Sequence, residues 1–341
     1  MINKERKISM KKVLSVILVA AMLFCLSACG GKTDTDSLYE ITLCLDWTPN
    51  TNHTGFFVAD ALGYYRDAGI RVKIVQPPED GAELMTASGQ AQFGISFQDT
   101  LAGIFTRQQA MKITAVAALV QHNTSGIISR KGEGAHSPAG LEGKKYSTWN
   151  GTVELAMIEA LMEKEGADFS KLQLIPNVIT NEAAALRNKD TDAIWIYYGW
   201  AGISCKEQGL DFDYFSFSDI DPVFDYYTPV LIANDKFLES EPEKARAFIE
   251  ATKKGYEYAA QNPDKAAEYL IAGDTTGSLR GSEAFVTASQ QWMSTQYIAD
   301  AERWGVFDAD RWDNFYLWLY ENKLIEKPIA KGYGYTNEFL I

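Results

Sequence analysis

The side chains best suited to chemistry lie in one short run, DWTPNTNH, at positions 46–53. It combines a carboxylate, an indole, a proline, two asparagines and a histidine. An acid and a histidine in one loop are compatible with catalysis or metal binding. An indole beside amide groups is equally compatible with a cradle for a small ring compound. The neighbours that the rest of the chain supplies decide between these interpretations.

The run contains what a heteroaromatic ring with amino substituents needs from a protein. Flat aromatic faces hold such a ring, and fixed hydrogen-bonding groups read its edge. Trp47 can stack on the ring, while Asp46 or Asn50 can accept a hydrogen bond from a ring amino group. Asn52 is either a ligand contact or the cap of the following helix. His53 is either a ligand contact or a partner of the loop backbone.

Further candidates follow the strand predicted at FGIS. Ser96 and Gln98 lie in the loop after it, and Gln98 offers both a donor and an acceptor. Asp99 is as compatible with a helix cap as with a ligand contact.

The second half of the chain adds a set of aromatic and polar candidates at predicted strand ends and, for Asp225 and Tyr227, at the crossover between the two runs. Trp149 and Asn150 lie at a predicted strand end before a helix, and the free backbone N–H groups at the start of that helix suit a carbonyl oxygen or an anion. Alternation along the strand directs only some of the rings in DAIWIYYGWAG to a cleft; the others pack in the core. The ligand candidates of this half are Trp149, Asn150, Glu154, Trp195, Tyr197, Tyr198, Asp225 and Tyr227.

Short apolar runs alternate with amphipathic stretches, which is typical of an α/β protein. The pattern predicts β-α-β-α-β-α-β over residues 40–121, with one helix across 53–69. Gly, Pro and charged residues at 128–145 indicate a linker, and a second α/β run follows. A strand at 226–235 returns to the first run, and a helical tail with Trp292, Trp304, Trp312 and Trp318 in its core ends the chain.

This order predicts two α/β lobes with two crossovers, as in the type II periplasmic-binding-protein fold. The first lobe is expected at 39–127 plus 228–341, with the C-terminal helices, and the second at 128–227. Ligands of open α/β sheets bind at the carboxyl ends of strands, so we expect a ligand cleft between the lobes.

The N-terminus predicts export. Residues 1–28 carry basic residues followed by an uncharged apolar run too short for a comfortable membrane span, and LSAC spans their end and the next residue, at 26–29. This resembles a lipoprotein signal peptide with Cys29 as the lipidated residue. The alternative is an ordinary secretory signal with a chance cysteine. The first interpretation predicts a flexible tether at 29–38 and an extracytoplasmic protein anchored to the bacterial membrane by lipid.

The composition narrows the function further. The formal net charge is −13, and the segment 1–28 is itself basic, so the remainder is more acidic still. That charge argues against nucleic-acid binding. Cys44 and Cys205 lie in apolar runs, which favours buried free thiols over a disulfide.

Four stretches resemble the thiamine-pyrimidine-synthase-like family, in its bacterial branch of ABC-transporter substrate-binding lipoproteins. They are LDWTPNTNHTGFFVADALGYYRDAGI, SGQAQFGISFQDT, LEGKKYSTWNG and the terminal YTNEFLI. The resemblance implies a pyrimidine precursor of thiamine as ligand, of the formylaminopyrimidine or hydroxymethylpyrimidine type. It also implies an ABC permease as partner, and we expect a monomer.

The eukaryotic branch of that family is enzymatic and uses its own histidine, pyridoxal phosphate and iron near a cysteine-rich motif. The corresponding segment here, DPVFDYYTPVLIAND, has no cysteine, and the first loop has no lysine. The departure predicts a binding protein that is not an enzyme and needs neither cofactor nor metal. Riboflavin or a sulfonate as the solute, and a pyrimidine synthase as the activity, remain the alternatives.

Overall fold

The computed structural model describes residues 38–340. The predicted signal peptide, Cys29 and the tether up to residue 37 lie outside the described residues. From Tyr39 onward the chain forms one compact unit. In that part of the chain no helix is both long enough and apolar enough to cross a membrane.

Within residues 38–340, ten strands form two five-stranded sheets, with the orders β2-β1-β3-β10-β4 and β7-β6-β8-β5-β9. The strands are Tyr39–Cys44 (β1), Ile70–Val75 (β2), Phe93–Ser96 (β3), Ile113–Ala118 (β4), Ser125–Arg130 (β5), Lys145–Thr148 (β6), Gln173–Pro176 (β7), Ala193–Tyr197 (β8), Phe212–Ser216 (β9) and Val230–Asn234 (β10).

Thirteen α-helices of the described residues surround the sheets. They are Thr54–Ala61 (α1), Tyr64–Asp67 (α2), Gly81–Ala87 (α3), Gln98–Phe105 (α4), Thr152–Lys164 (α5), Glu182–Asn188 (α6), Ile203–Glu207 (α7), Phe217–Ile220 (α8), Asp235–Ser240 (α9), Pro242–Gln261 (α10), Pro263–Gly273 (α11), Glu283–Met293 (α12) and Ala309–Glu321 (α13). Short 3₁₀ turns occur at Thr51–His53, Pro138–Leu141, Phe169–Lys171 and Pro222–Phe224, and a π-helical turn spans Tyr198–Gly202.

Each sheet contains one antiparallel strand, which follows a passage of the chain from the other sheet. β10 lies antiparallel between β3 and β4 in the first sheet. β5 lies antiparallel between β8 and β9 in the second sheet. The remaining pairs, β1 with β2 and β3, and β6 with β7 and β8, are parallel. The chain therefore passes between the sheets twice, at residues 119–124 and 217–229, which we call the first and second crossovers.

The predicted return strand is present as β10, but two other predictions are wrong in detail. The predicted linker from 128 includes the end of β5, in which Ile127 and Ile128 are buried. Gly126 of this strand lies so close to β9 that a Cβ there would collide with the backbone of Phe215. The single helix predicted across 53–69 is interrupted at Gly63, which has a φ of 77°.

Two large apolar cores hold the unit together. One packs the first sheet against α1 and α10, and the other joins residues of both sheets with α13. Trp304 and Trp312 are fully buried in these cores, and Trp292 and Trp318 are partly buried against them, as the sequence predicts. Cys44 and Cys205 are buried free thiols, and burial raises the pKa of each to about 12. The predicted lobe boundaries remain a proposal.

Candidate functional site

A cleft of about 350 Å³ lies between residues of the first and the second sheet. It is at the edge where β1 and β8 end, as expected for open α/β sheets. The first sheet contributes the loop after β1 together with Phe97 and Pro229, and the second contributes the end of β8 and the start of α6.

The loop after β1 is organised around His53. This side chain is fully buried, and its Nδ1 accepts a hydrogen bond from the backbone N–H of Asn50 at 3.2 Å. Its Nε2 therefore carries the proton and donates to Asp46 Oδ1 at 2.6 Å. His53 fixes the Asp46 carboxylate from behind and does not line the cleft.

Asp46, Trp47 and Asn50 do line the cleft, and their role as ligand contacts stays a prediction. Trp47 is 56% exposed, which leaves its indole available to a ligand. Asn50 is buried and already engaged, because its Oδ1 accepts from the Asn52 backbone N–H at 2.9 Å and its Nδ2 donates to the Thr48 carbonyl at 3.1 Å. Asn50 therefore caps the turn that follows it, and Asn52 lines the cleft instead of serving as the cap.

Trp195 and Tyr197 form the wall on the second sheet. The Trp195 ring contacts Phe217 at 4.2 Å and Trp149 at 5.3 Å between centroids. The Trp195 indole N–H is buried and has no hydrogen-bond partner among the described residues. Burial raises the pKa of the Tyr197 hydroxyl, with the charge of Asp99 adding to the effect. Trp149 is 51% exposed and lies at the rim of this wall.

Sequence reasoning missed part of the lining. Glu182, at the start of α6, lines the cleft, and burial raises the pKa of its carboxyl. Trp200, Phe97 and Pro229 also line it. The only signal for Glu182 was its place after the helix cap Asn181, which an ordinary first-turn acid shares.

Three predicted ligand residues have their polar groups committed within the protein. Ser96 donates to Glu83 Oε1 at 2.7 Å. Gln98 donates to the Trp312 carbonyl at 2.8 Å and accepts from the Tyr227 N–H at 2.8 Å. Glu154 is buried and accepts from Tyr146, Thr148 and the Gly151 backbone. The structure places all three outside the cleft lining.

Four other candidates also lie elsewhere. Asp225 binds His122 and the Asn123 backbone in the crossovers, and Tyr227 is buried and accepts from the Asp308 N–H at 2.7 Å. Asn150 is exposed in a left-handed conformation beside Trp149. Tyr198 packs on Trp292 at 5.1 Å. Asp99, in the first turn of α4, is a helix-start acid whose pKa burial raises to about 6.

The cleft does not have the residues that pyridoxal phosphate or iron would need. Among the described residues that line it, none is a lysine, an arginine, a histidine or a cysteine. Across residues 38–340, no group of three or more His, Cys, Asp and Glu side chains is arranged to hold a metal ion. A Schiff base or an iron site therefore does not fit this cleft.

Two α/β sheets linked by two crossovers, with a cleft at their strand ends, define the fold of periplasmic binding proteins. A sulfonate-binding protein described as SsuA from Methylobacillus flagellatus shares this fold, with a TM-score of 0.65 and 16% identity over 89% of this chain and 93% of its own. Its likeness extends to the fold alone.

The chain belongs to the NMT1/THI5-like family, whose model matches residues 50–266. A formylaminopyrimidine-binding protein of Halalkalibacterium halodurans is 27% identical over 94% of this chain and 97% of its own length. A 4-amino-5-hydroxymethyl-2-methylpyrimidine phosphate synthase of Legionella pneumophila is 23% identical over 88% of this chain and 92% of its own. The relatives of this chain thus include both a protein named for binding and proteins named as synthases.

Proposed function

We propose that the protein binds an aminopyrimidine precursor of thiamine, of the formylaminopyrimidine or hydroxymethylpyrimidine type, in the cleft between its sheets. It acts as the substrate-binding component of an ABC importer, outside the cytoplasm and anchored by lipid at Cys29. The binding protein of Halalkalibacterium halodurans supports the ligand class, because the match covers nearly the whole of both chains.

The observation that carries the proposal is the chemistry of the cleft lining. Trp47 and Trp195 offer aromatic surface from opposite sheets, and Asp46 and Glu182 offer carboxylates. Ring amino groups donate hydrogen bonds, so carboxylates complement them, while stacked aromatic pairs contribute about 0.5–1.5 kcal/mol each beyond area burial.

The same lining argues against the other solutes. Sulfonates need cationic or N–H-rich sites, and two carboxylates in the cleft would repel them. The cleft, at about 350 Å³, is near the small end of the ~300–1,000 Å³ range of ligand pockets, which favours one ring over the three fused rings of riboflavin.

Binding is reversible and is completed by closure of the lobes. The two crossovers are the covalent links between the sheets, so a rotation of one lobe toward the other is absorbed there. Closure surrounds the ligand with the exposed face of Trp47 and with the rim residue Trp149.

A pyrimidine synthase is the second candidate, supported by the names of several relatives. His53 argues against it, because this histidine is fully buried with both ring nitrogens hydrogen-bonded and is not presented to the cleft. Binding without chemical conversion is therefore the activity we propose.

Isothermal titration of the purified protein with formylaminopyrimidine, hydroxymethylpyrimidine, riboflavin and taurine tests the proposal. We expect one binding site per chain. Heat of binding should appear with one of the two pyrimidines and with neither riboflavin nor taurine. Heat with taurine or riboflavin alone would refute the ligand class. Metal analysis and an absorbance scan of the same sample address the synthase, because bound iron or a Schiff-base band would favour it.

A further inference from the structure

Strand β8 of the cleft runs directly into the π-helical turn Tyr198–Gly202. Such turns are rare and are frequently found at functional sites. This one packs along α12, a helix that is also attached to the first sheet's layer through Gln290, whose Oε1 accepts from Thr54 at 2.6 Å. Helix α12 thus connects the two walls of the cleft.

Aromatic pairs fix both ends of this contact. Trp200 meets Phe285 at 4.5 Å, and Tyr198 meets Trp292 at 5.1 Å between ring centroids. Phe285 and Trp292 are seven residues apart, so they lie on one face of α12. The two aromatic pairs therefore hold the π-helical turn at a fixed position along α12.

Gly199 and Ser289 meet between the two aromatic pairs. Ser289 lies four residues after Phe285, on the same face of α12, and its hydroxyl donates to the Gly199 carbonyl. A Cβ on Gly199 would collide with Met293 and come within 2.9 Å of the Trp292 ring. A side chain at position 199 would therefore force Met293 and Trp292 to move.

The Ser289 hydroxyl has a second partner in the first wall. Thr51 Oγ1 lies 2.7 Å from Ser289 Oγ, and both side chains are buried. Because the Ser289 proton is directed to a carbonyl, Thr51 must be the donor in this second bond. Thr51 lies between Asn50 and Asn52, which line the cleft, and Gly199 lies between Tyr197 and Trp200, which line the opposite side.

We infer that Ser289 is a positioning residue for ligand binding: it joins Thr51 to Gly199 and so sets the separation of the two cleft walls without touching the ligand. This inference rests on the proposed ligand cleft. Because the Ser289 hydroxyl bonds residues of both walls, its loss changes the separation of the walls. The loss of a hydrogen bond within one lobe does not change that separation.

The first test compares Ser289→Ala with wild type in titrations with the pyrimidine that wild type binds. We expect Kd to rise about tenfold, because Ser289→Ala removes both buried hydrogen bonds that join the two walls. Thr51→Val removes only the bond between Thr51 and Ser289 and keeps the side-chain shape, so it serves where Ser289→Ala folds poorly. In the double variant the effect should be no larger than in Ser289→Ala alone, because both changes break the same chain of bonds.

Thr252→Val is the matched control, since Thr252 is a buried hydroxyl that bonds Tyr65 at 2.8 Å within the first lobe. It should lower the melting temperature as Ser289→Ala does and leave Kd unchanged. A wild-type Kd in a folded Ser289→Ala, or an equal loss of affinity in Thr252→Val, would overturn the inference.

Hydrogen exchange of the ligand-free full chain tests the bridge independently of any ligand. Ser289→Ala should speed amide exchange in both segments 46–53 and 198–204, whereas Thr252→Val should speed it in neither. Faster exchange in only one segment, or in none, would contradict the bridge. Failure of wild type to bind any pyrimidine would refute the proposed function and leave the result of this exchange experiment intact.

Discussion

Asp46 owes its position to its partner in the loop. The His53 side chain, pinned by the Asn50 backbone, holds the carboxylate at 2.6 Å. By holding the carboxylate, His53 restricts the rotamers of Asp46. This lowers the conformational entropy that the Asp46 side chain loses when a ligand binds. The histidine that looked catalytic in the sequence is therefore part of the support for a hydrogen-bond acceptor.

Asp46→Asn should weaken binding of the aminopyrimidine by about 10- to 100-fold, because a charged acceptor is replaced by a neutral one beside a ring amino group. Titration calorimetry measures the change. Asp300→Asn is the control, since Asp300 pairs with His122 away from the cleft at 2.8 Å. If both variants bound the aminopyrimidine with equal affinity, Asp46 would not form a hydrogen bond with the ligand.

Trp47→Ala should abolish measurable binding without unfolding the protein. The indole is 56% exposed, so its removal leaves the core intact. Tyr320→Ala, an exposed aromatic residue on α13, is the matched control and should bind like wild type. Titration and thermal unfolding of both variants check this, and retained affinity in Trp47→Ala would make the loop purely structural.

The sequence predicted the cleft residues of the first loop but overestimated the polar residues elsewhere. Asp46 and Trp47 directly follow a strand, so their location at a sheet edge follows from local pattern. Gln98 is different, because its partner is the carbonyl of Trp312, 214 residues away. The residues next to Gln98 in the sequence do not show that its amide is hydrogen-bonded to so distant a partner. From the sequence, a hydrogen-bonded amide therefore cannot be distinguished from a free one.

Among the elements, the start of α5 is held by Glu154. Its carboxylate accepts from the Gly151 N–H at 3.0 Å and from the Tyr146 hydroxyl at 2.6 Å. A buried donor that loses its acceptor lowers the free energy of unfolding. Glu154 therefore stabilises the fold and does not contact the ligand.

Glu154→Ala should lower the free energy of unfolding by about 1–3 kcal/mol, because buried donors lose their acceptor. Its affinity for the pyrimidine should stay within a factor of two to three of wild type. Urea unfolding and calorimetry on the same sample measure both quantities. Glu159→Ala, a solvent-facing acid of the same helix, is the control for stability. A stable Glu154→Ala that fails to bind would restore Glu154 as a ligand contact.

The element order was predictable because alternating apolar and amphipathic segments repeat along the chain. The return strand β10 was visible as an apolar run after a polar segment. β5 was missed, because its last residues and the Gly, Pro and charged residues that follow them look like a linker until β9 is placed beside the strand. Pairing between distant strands, not local propensity, determines this element.

At the scale of the whole molecule, His122 cross-links the crossovers. This residue of the first crossover bonds Asp225 of the second at 2.7 Å and Asp300 at 2.8 Å, with Arg311 3.6 Å from Asp225. The hydrogen bond to Asp225 raises the pKa of His122, and His122 lowers the pKa of Asp300. The network is therefore most stabilising when His122 is protonated.

His122→Gln should destabilise the protein in a pH-dependent way. A histidine with a raised folded-state pKa contributes all its stability below its unfolded pKa of about 6.5 and loses it as the pH rises through the folded value. The difference in melting temperature from wild type should thus be larger at about pH 6 than at about pH 9. His136→Gln, at an exposed position, is the control. A difference independent of pH would contradict the charged cross-link.

The central claim is that an aminopyrimidine binds between the two sheets, and a crystal structure with that ligand bound tests it most directly. We predict a ring stacked on Trp47 or Trp195, with its amino group in hydrogen-bond distance of Asp46. His53 should remain buried behind the carboxylate. A ligand found outside this cleft, or in the cleft with its amino group away from every carboxylate, would contradict the account.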